Sequence, residues 1–199
     1  VIKKISEASV PTEWGRFNMA AYAEDESQVM PHIAMIAKGI DVEKTIIVRI
    51  HSECITGDLF HSQRCDCGKQ LESAMNIISE DRGVLIYLRQ EGRGIGIINK
   101  LKAYNLQDKG FDTIEANKEL GLEVDSRNYS LAVTILKDLG IKKINLLTNN
   151  PDKIKAIEDS DIELVNRLPL EIKPIEANYK YLKTKKEELG HILDANYTK

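Results

Sequence analysis

Apolar and polar positions along this chain change their period several times, and each change predicts an element. From Thr45 to Ile50 β-branched residues follow the short period of a strand. The first fifty residues read throughout as short strands, with turns at Trp14-Gly15 and Lys38-Gly39. Residues 51–68 show no period and are read as irregular. Over 69–79 the apolar residues Leu71, Met75 and Ile78 recur at helical spacing. A buried strand is predicted from Gly83 to about Leu88, then a turn over 89–96 leading into a helix over 97–106. Two further helices, over 113–120 and 130–139, stop at Gly121 and Gly140. A short strand over 144–147 precedes Asn150-Pro151, an N-cap with proline at the first helical position. A strand over 162–165 and a Lys-rich helix over 178–189 complete the pattern.

A β-rich front half and a back half alternating helix with strand predict a mixed α/β fold, with helices packed on a mixed sheet. The 199 residues contain no repeat and no low-complexity linker, so a single domain over 1–199 is expected. With 42% hydrophobic and 30% charged residues the chain has a globular composition. A net charge of −3 argues against a general nucleic-acid binder, so phosphate recognition would rest on a few local Arg and Lys residues. No apolar run is long enough to cross a bilayer and no secretory leader opens the chain, which leads to the expectation of a cytoplasmic protein without a membrane partner.

The three cysteines, Cys54, Cys65 and Cys67, fall close together, which points to a metal before it points to a bridge. Three thiolates with an open fourth position is the arrangement of a catalytic zinc site, where a bound water becomes a hydroxide nucleophile near neutral pH. His51 or His61 could instead complete a structural Cys3His site, or the thiols could be unrelated, and spacing alone leaves these open. His51-Ser52-Glu53 has the His-x-Glu of zinc deaminases, but Arg64-Cys65-Asp66-Cys67 replaces their Pro-Cys-x-x-Cys, which excludes that family.

Three loops are candidates for phosphate recognition. Residues 89–96 pass from strand to helix with exposed glycine amides and Arg93, yet lack both a dinucleotide fingerprint and a P-loop. Residues 148–153 repeat that geometry with Thr148 and Lys153, where helix capping by Asn150 is the plainer role. Asp125 and Arg127 place a carboxylate and a guanidinium two residues apart, either solvated or managing protons and phosphate in a pocket.

Taken together these segments resemble GTP cyclohydrolase II. The likeness runs through 49–58, 64–68, Arg89 to Arg93 with Gly96, Asn99 and Lys100, then Tyr104, 106–108, Asp112-Thr113, 115–117 and 147–151, and closes with Tyr181-Leu182, Thr184-Lys185 and Gly190-His191. It covers nearly the whole chain, in order. The resemblance implies that GTP and water give formate, pyrophosphate and 2,5-diamino-6-ribosylaminopyrimidinone 5′-phosphate, the opening step of riboflavin biosynthesis. It further implies one zinc per subunit on Cys54, Cys65 and Cys67, activating water against C8 of guanine, with magnesium neutralising the departing pyrophosphate. Arg49, Ile50, His51, Ser52, Glu53, Gln70, Glu91, Gly92, Arg93, Thr113, Thr148 and Lys153 are implied GTP-binding residues. Tyr104 would orient the attack, Asp125 would accept a proton, and Arg127 would attack the α-phosphorus. A guanidinium stays protonated and is a poor nucleophile, so electrostatic stabilisation is the easier task for Arg127. A homodimer is expected. The chain departs from the family pattern at Asn128, where Asp is usual, and at His61, where a small residue is usual. No dihydroxybutanone phosphate synthase domain precedes this one, so the stand-alone form is expected.

Overall fold

The computed structural model of the chain describes residues 1–194. Seven strands make up one sheet: β1 (Lys3–Thr12), β2 (Gly15–Ala23), β3 (His32–Ala37), β4 (Ile46–Ser52), β5 (Val84–Leu88), β6 (Lys143–Leu147) and β7 (Glu163–Leu168). Their order is β1-β2-β3-β5-β4-β6-β7. The first four in that order pair antiparallel, while β5, β4, β6 and β7 run parallel to one another. The helices are α1 (Ile55–Asp58), α2 (Cys67–Asp81), α3 (Gly96–Gln107), α4 (Thr113–Glu119), α5 (Ser130–Asp138), α6 (Pro151–Glu158) and α7 (Tyr179–Glu187). This is the mixed α/β fold that the patterning predicts.

Strand alternation divides the core into two layers. Val48 and Ile50 of β4, Val84, Ile86 and Leu88 of β5, and Ile144 and Leu146 of β6 pack with Ala132, Ile135 and Leu136 of α5 and Ile157 of α6. The opposite face joins Phe17, Met35, Leu85 and Leu147 to Ala74, Met75 and Ile78 of α2. The same period sends Arg49 and His51 to the face opposite Val48 and Ile50, so two polar side chains of a central strand are buried at 4% and 2% exposure. Across the first layer Tyr22 Oη donates to Asp138 Oδ2 at 2.7 Å, fastening the antiparallel half to α5.

Element ends follow local chemistry. Asp112 and Glu115 form a capping box on α4, and the Asn150 side chain accepts from Asp152 N ahead of α6, with Pro151 in the first turn. The strand expected over 162–165 extends to Leu168, because parallel pairing with β6 carries it on to Leu147↔Leu168. The segment read as irregular contains the single turn α1. No helix among the described residues is long and apolar enough to cross a membrane.

Candidate active site

Three neighbouring parallel strands, β5, β4 and β6, end side by side, and the loops leaving their carboxyl ends supply most of one cleft. Such ends are the usual ligand position in α/β sheets. The cleft has a volume of about 720 Å³, and every described residue lining it lies at or beyond Arg49.

The loop after β4 turns through α1 and returns to α2, bringing together the sulfurs of Cys54, Cys65 and Cys67. All lie within 4.8 Å of one another, and the Sγ atoms of Cys54 and Cys65 are 3.7 Å apart. A Cβ on Gly57 would stand 2.8 Å from Cys65 Sγ and 3.2 Å from Cys54 Sγ, so only glycine leaves the sulfurs room to converge. Hydrogen bonds from the other two thiols draw the Cys54 thiol far below its ordinary range, against burial and with help from the Lys100 ammonium. The Cys65 thiol, as the donor to Cys54, is pushed up to about 11. Three soft donors already sharing negative charge suit zinc. His51 is turned away from them: Nε2 meets both Asp58 oxygens at 3.1 Å, and the ring stacks on Tyr87. His61 is exposed and stands outside the sulfur group. Neither histidine completes a four-ligand set.

Asp58 also accepts from Cys54 N at 2.9 Å and from Tyr87 Oη at 2.8 Å, which locks the start of the cysteine loop. Asp66, between two cysteines, accepts from Gln70 Nε2 and Lys185 Nζ, and Gln70 in turn accepts from Arg49 Nη2 at 2.6 Å. Arg49 Nη1 donates to Leu147 O.

Facing the sulfurs is a cationic wall. Gly92, Arg93 and Gly94 have φ of 62°, 61° and 94°; a non-glycine residue in the left-handed region is uncommon and concentrates at functional sites. Arg93 Nη1 and Nη2 are buried without a hydrogen-bond partner. Ser126 N and Oγ both donate to Arg93 O, pinning this turn to the loop that carries Asp125 and Arg127. Lys153 Nζ donates to Ile50 O at 2.8 Å. Burial, then the charges of Arg49, Arg127 and Lys185, push the Lys153 ammonium well below the usual lysine range. His191 is driven to about 2 by burial and by Lys185, Lys153, Arg127 and Arg93. So many cations in one buried wall suit a polyanion.

The structure brings Arg49, His51, Ser52, Glu53, Gln70 and the three cysteines into this cleft, with Glu91, Gly92 and Arg93, Tyr104, Thr113, Arg127, Thr148 and Lys153. Two predicted residues are placed otherwise. Ile50 is fully buried in the core and offers its main-chain carbonyl to Lys153. Asp125 is exposed and is not among the residues lining the cleft, its carboxylate taken by Arg127 Nε at 2.8 Å and by Arg127 Nη2 and N. The Glu53 carboxylate is paired with Arg89 at 2.6 Å. Sequence reasoning missed Arg64, whose guanidinium lies 4.7 Å over the Tyr104 ring, and the contributions of Lys100, Lys185 and His191. Lys100, Lys185 and His191 stood in matched segments without a role; only three-dimensional proximity supplies one.

Fold and cleft together define a class: an α/β protein with three converging thiols that could hold a metal ion, opposite a polycationic wall at the carboxyl ends of parallel strands. The family model for GTP cyclohydrolase II matches residues 3–169. The chain belongs to the GTP cyclohydrolase II family. It is 49% identical over 197 residues to the riboflavin biosynthesis protein RibBA of Chlorobium phaeovibrioides, covering 98% of this chain and 48% of that protein. GTP cyclohydrolase-2 of Neisseria meningitidis serogroup C is 47% identical over 194 residues, 97% of this chain and 98% of that one. The chain thus spans about half the length of the RibBA relatives and nearly all of GTP cyclohydrolase-2. A crystal structure of RibBX, a two-domain 3,4-dihydroxy-2-butanone 4-phosphate synthase from A. baumannii, aligns with TM-score 0.48 and 21% identity over 86% of this chain and 40% of that one, too slight a likeness to bear on function.

Proposed function

We propose that this chain, as one domain, opens the imidazole ring of GTP by hydrolysis, releasing formate and pyrophosphate and leaving 2,5-diamino-6-ribosylaminopyrimidinone 5′-phosphate, the first step of riboflavin biosynthesis. Family membership supports the reading. The observation that carries it is the pairing, across one cleft, of three converging sulfurs with the two unpartnered terminal nitrogens of Arg93. Cys54, Cys65 and Cys67 would hold one zinc ion, which supplies the Lewis acidity that activates water toward a carbon such as C8 of guanine.

The chain's own residues do the rest. Arg93, Arg127 and Lys153 bind the triphosphate, with magnesium arriving on the substrate to neutralise the leaving pyrophosphate. Their crowding, unfavourable in the free protein, is relieved when the polyanion enters. Tyr104, lining the cleft beneath the Arg64 guanidinium, orients the base. Although burial opposes it, hydrogen bonding to Asp125 raises the Arg127 guanidinium above its ordinary value. Arg127 therefore keeps its proton and stabilises charge building on the α-phosphate, and Asp125 orients it. Arg49, His51, Ser52 and Gln70 line the same cleft and complete the GTP site, with Thr148 at the head of the loop before α6. The reading extends to a homodimer.

Metal-replete protein incubated with GTP tests this directly, with formate and pyrophosphate quantified together. Equimolar release of both is expected. Pyrophosphate without formate would confine the activity to phosphate chemistry or to a formamido product, and release of neither would end the proposal.

A further inference from the structure

Beside the cysteine cluster lies a largely buried ion pair, Lys100 with Glu91, whose contacts run to the cluster itself. Lys100, on α3, brings Nζ within 3.0 Å of Cys54 Sγ and 2.8 Å of Glu91 Oε1. The two side chains are only 12% and 9% exposed. Glu91 belongs to the turn after β5, the same turn that presents Arg93.

Both oxygens of Glu91 are committed. Oε1 also accepts from Gly92 N at 2.7 Å, and Oε2 accepts from Ile55 N at 2.5 Å. A carboxylate so occupied has little capacity left for a ligand. Its contacts all point to scaffolding, toward the cysteine loop on one side and the Arg93 turn on the other. The main-chain N–H groups on either side of Cys54 are each held by a carboxylate, Cys54 N by Asp58 and Ile55 N by Glu91. The Cys54 side chain makes no capping bond of its own, so its sulfur is free to face the cluster.

We propose that Lys100 and Glu91 are positioning residues of the metal centre: Lys100 supports the charge on the Cys54 sulfur, and Glu91 fixes the backbone beside it while joining it to the Arg93 turn. The inference rests on the zinc reading above and deepens it. Partners of this kind, one contact removed from a metal, commonly contribute tenfold or more to affinity. A merely structural buried ion pair would alter stability without altering the metal.

The test uses the full chain, purified and stripped of metal. Zinc affinity is measured by competition with a chromophoric chelator, and the sulfur-to-metal charge-transfer band is recorded on the cobalt-substituted protein. Lys100→Met should weaken zinc binding about tenfold to a hundredfold and shift the cobalt band, and Glu91→Gln should do the same to a smaller degree. Wild-type affinity with an unshifted band in Lys100→Met would overturn the proposal. Should that variant not fold, Lys100→Gln, which keeps a donor and loses the charge, decides the question by the same two readings. A wild-type chain that binds no zinc would instead remove the functional reading itself.

Discussion

Asp66 and Lys185, separated by 119 positions, form an ion pair at 2.9 Å in which the carboxylate side chain is 1% exposed. The pair fastens α7 to the loop that presents two cysteines, and it continues through Gln70 to Arg49. Breaking one partner of such a buried pair leaves an uncompensated charge, at a cost on the order of 3–5 kcal/mol. Lys185→Met is therefore expected to lower the unfolding midpoint and raise KM for GTP several-fold. Restoring a neutral match in Asp66→Asn/Lys185→Met should recover part of the stability. Thermal melts and initial rates of the three variants check this, and a double variant no more stable than Lys185→Met would count against the coupling.

Gly57 leaves the sulfurs their room. Gly57→Ala places a methyl 2.8 Å from Cys65 Sγ and 3.1 Å from Cys67 Cβ, too close for either to stay in place. Zinc content per chain, measured by atomic emission after gel filtration, should fall well below the wild-type value while far-UV circular dichroism is kept. Full metal occupancy in the variant would show that the loop yields more readily than its packing implies.

His191 has an ordinary pKa near 6.5 when unfolded and about 2 when folded, through burial and four neighbouring cations. Between those values the unfolded chain binds the proton and the folded chain does not, so this group removes stability as pH falls below about 6.5. The loss reaches at most about 2 kcal/mol at pH 5, from about 1.4 kcal/mol per pH unit. His191→Gln should show a shallower fall in melting temperature between pH 8 and pH 5 than the wild type. Parallel curves would place the acid sensitivity elsewhere.

Arg93 contributes buried terminal nitrogens without protein partners. Arg93→Ala should raise KM for GTP by tenfold or more and weaken inhibition by pyrophosphate to a similar degree, because a charge-assisted contact is worth about 1.5–3 kcal/mol. Steady-state rates and pyrophosphate titrations read this out. Arg127→Ala should instead depress pyrophosphate release more than GTP binding.

Ile86 sits in the middle of the sheet with no exposure. Ile86→Ala should lower unfolding free energy by about 2–5 kcal/mol, measured by urea denaturation, with zinc affinity unchanged in the fraction that remains folded.

Much of this architecture was legible in one dimension because its punctuation is local. Asn150-Pro151, Gly121 and Gly140 mark helix ends by their own backbone chemistry, and the structure places helix boundaries beside each of them. The three cysteines were legible as a candidate metal group because eleven and two positions of spacing already confine them, and the structure brings their sulfurs together. What could not be read is what depends on distant partners. Nothing near Lys185 announces Asp66, and nothing near Lys100 announces Cys54. Asp125 and Arg127 read as a pair of site residues, but which of them faces the cleft is decided by the ion pair between them and by Ser126 bonding to Arg93. Ile50 shows the converse. Its neighbours Arg49 and His51 are polar and face the cleft, and strand alternation turns Ile50 to the other side.

The sheet separates its duties along its width. The amino-terminal hairpin and β3 join the remainder through core packing of Phe17, Ala20, Tyr22 and Met35, hydrogen bonds such as Tyr22 to Asp138 and Arg89 N to His32, and strand pairing, while the cleft is lined from Arg49 onward. The hairpin is seated in the core by Phe17, Ala20 and Tyr22 and cannot be trimmed, but an insertion or a reporter at exposed Glu13 would extend strands that lend the cleft no residue.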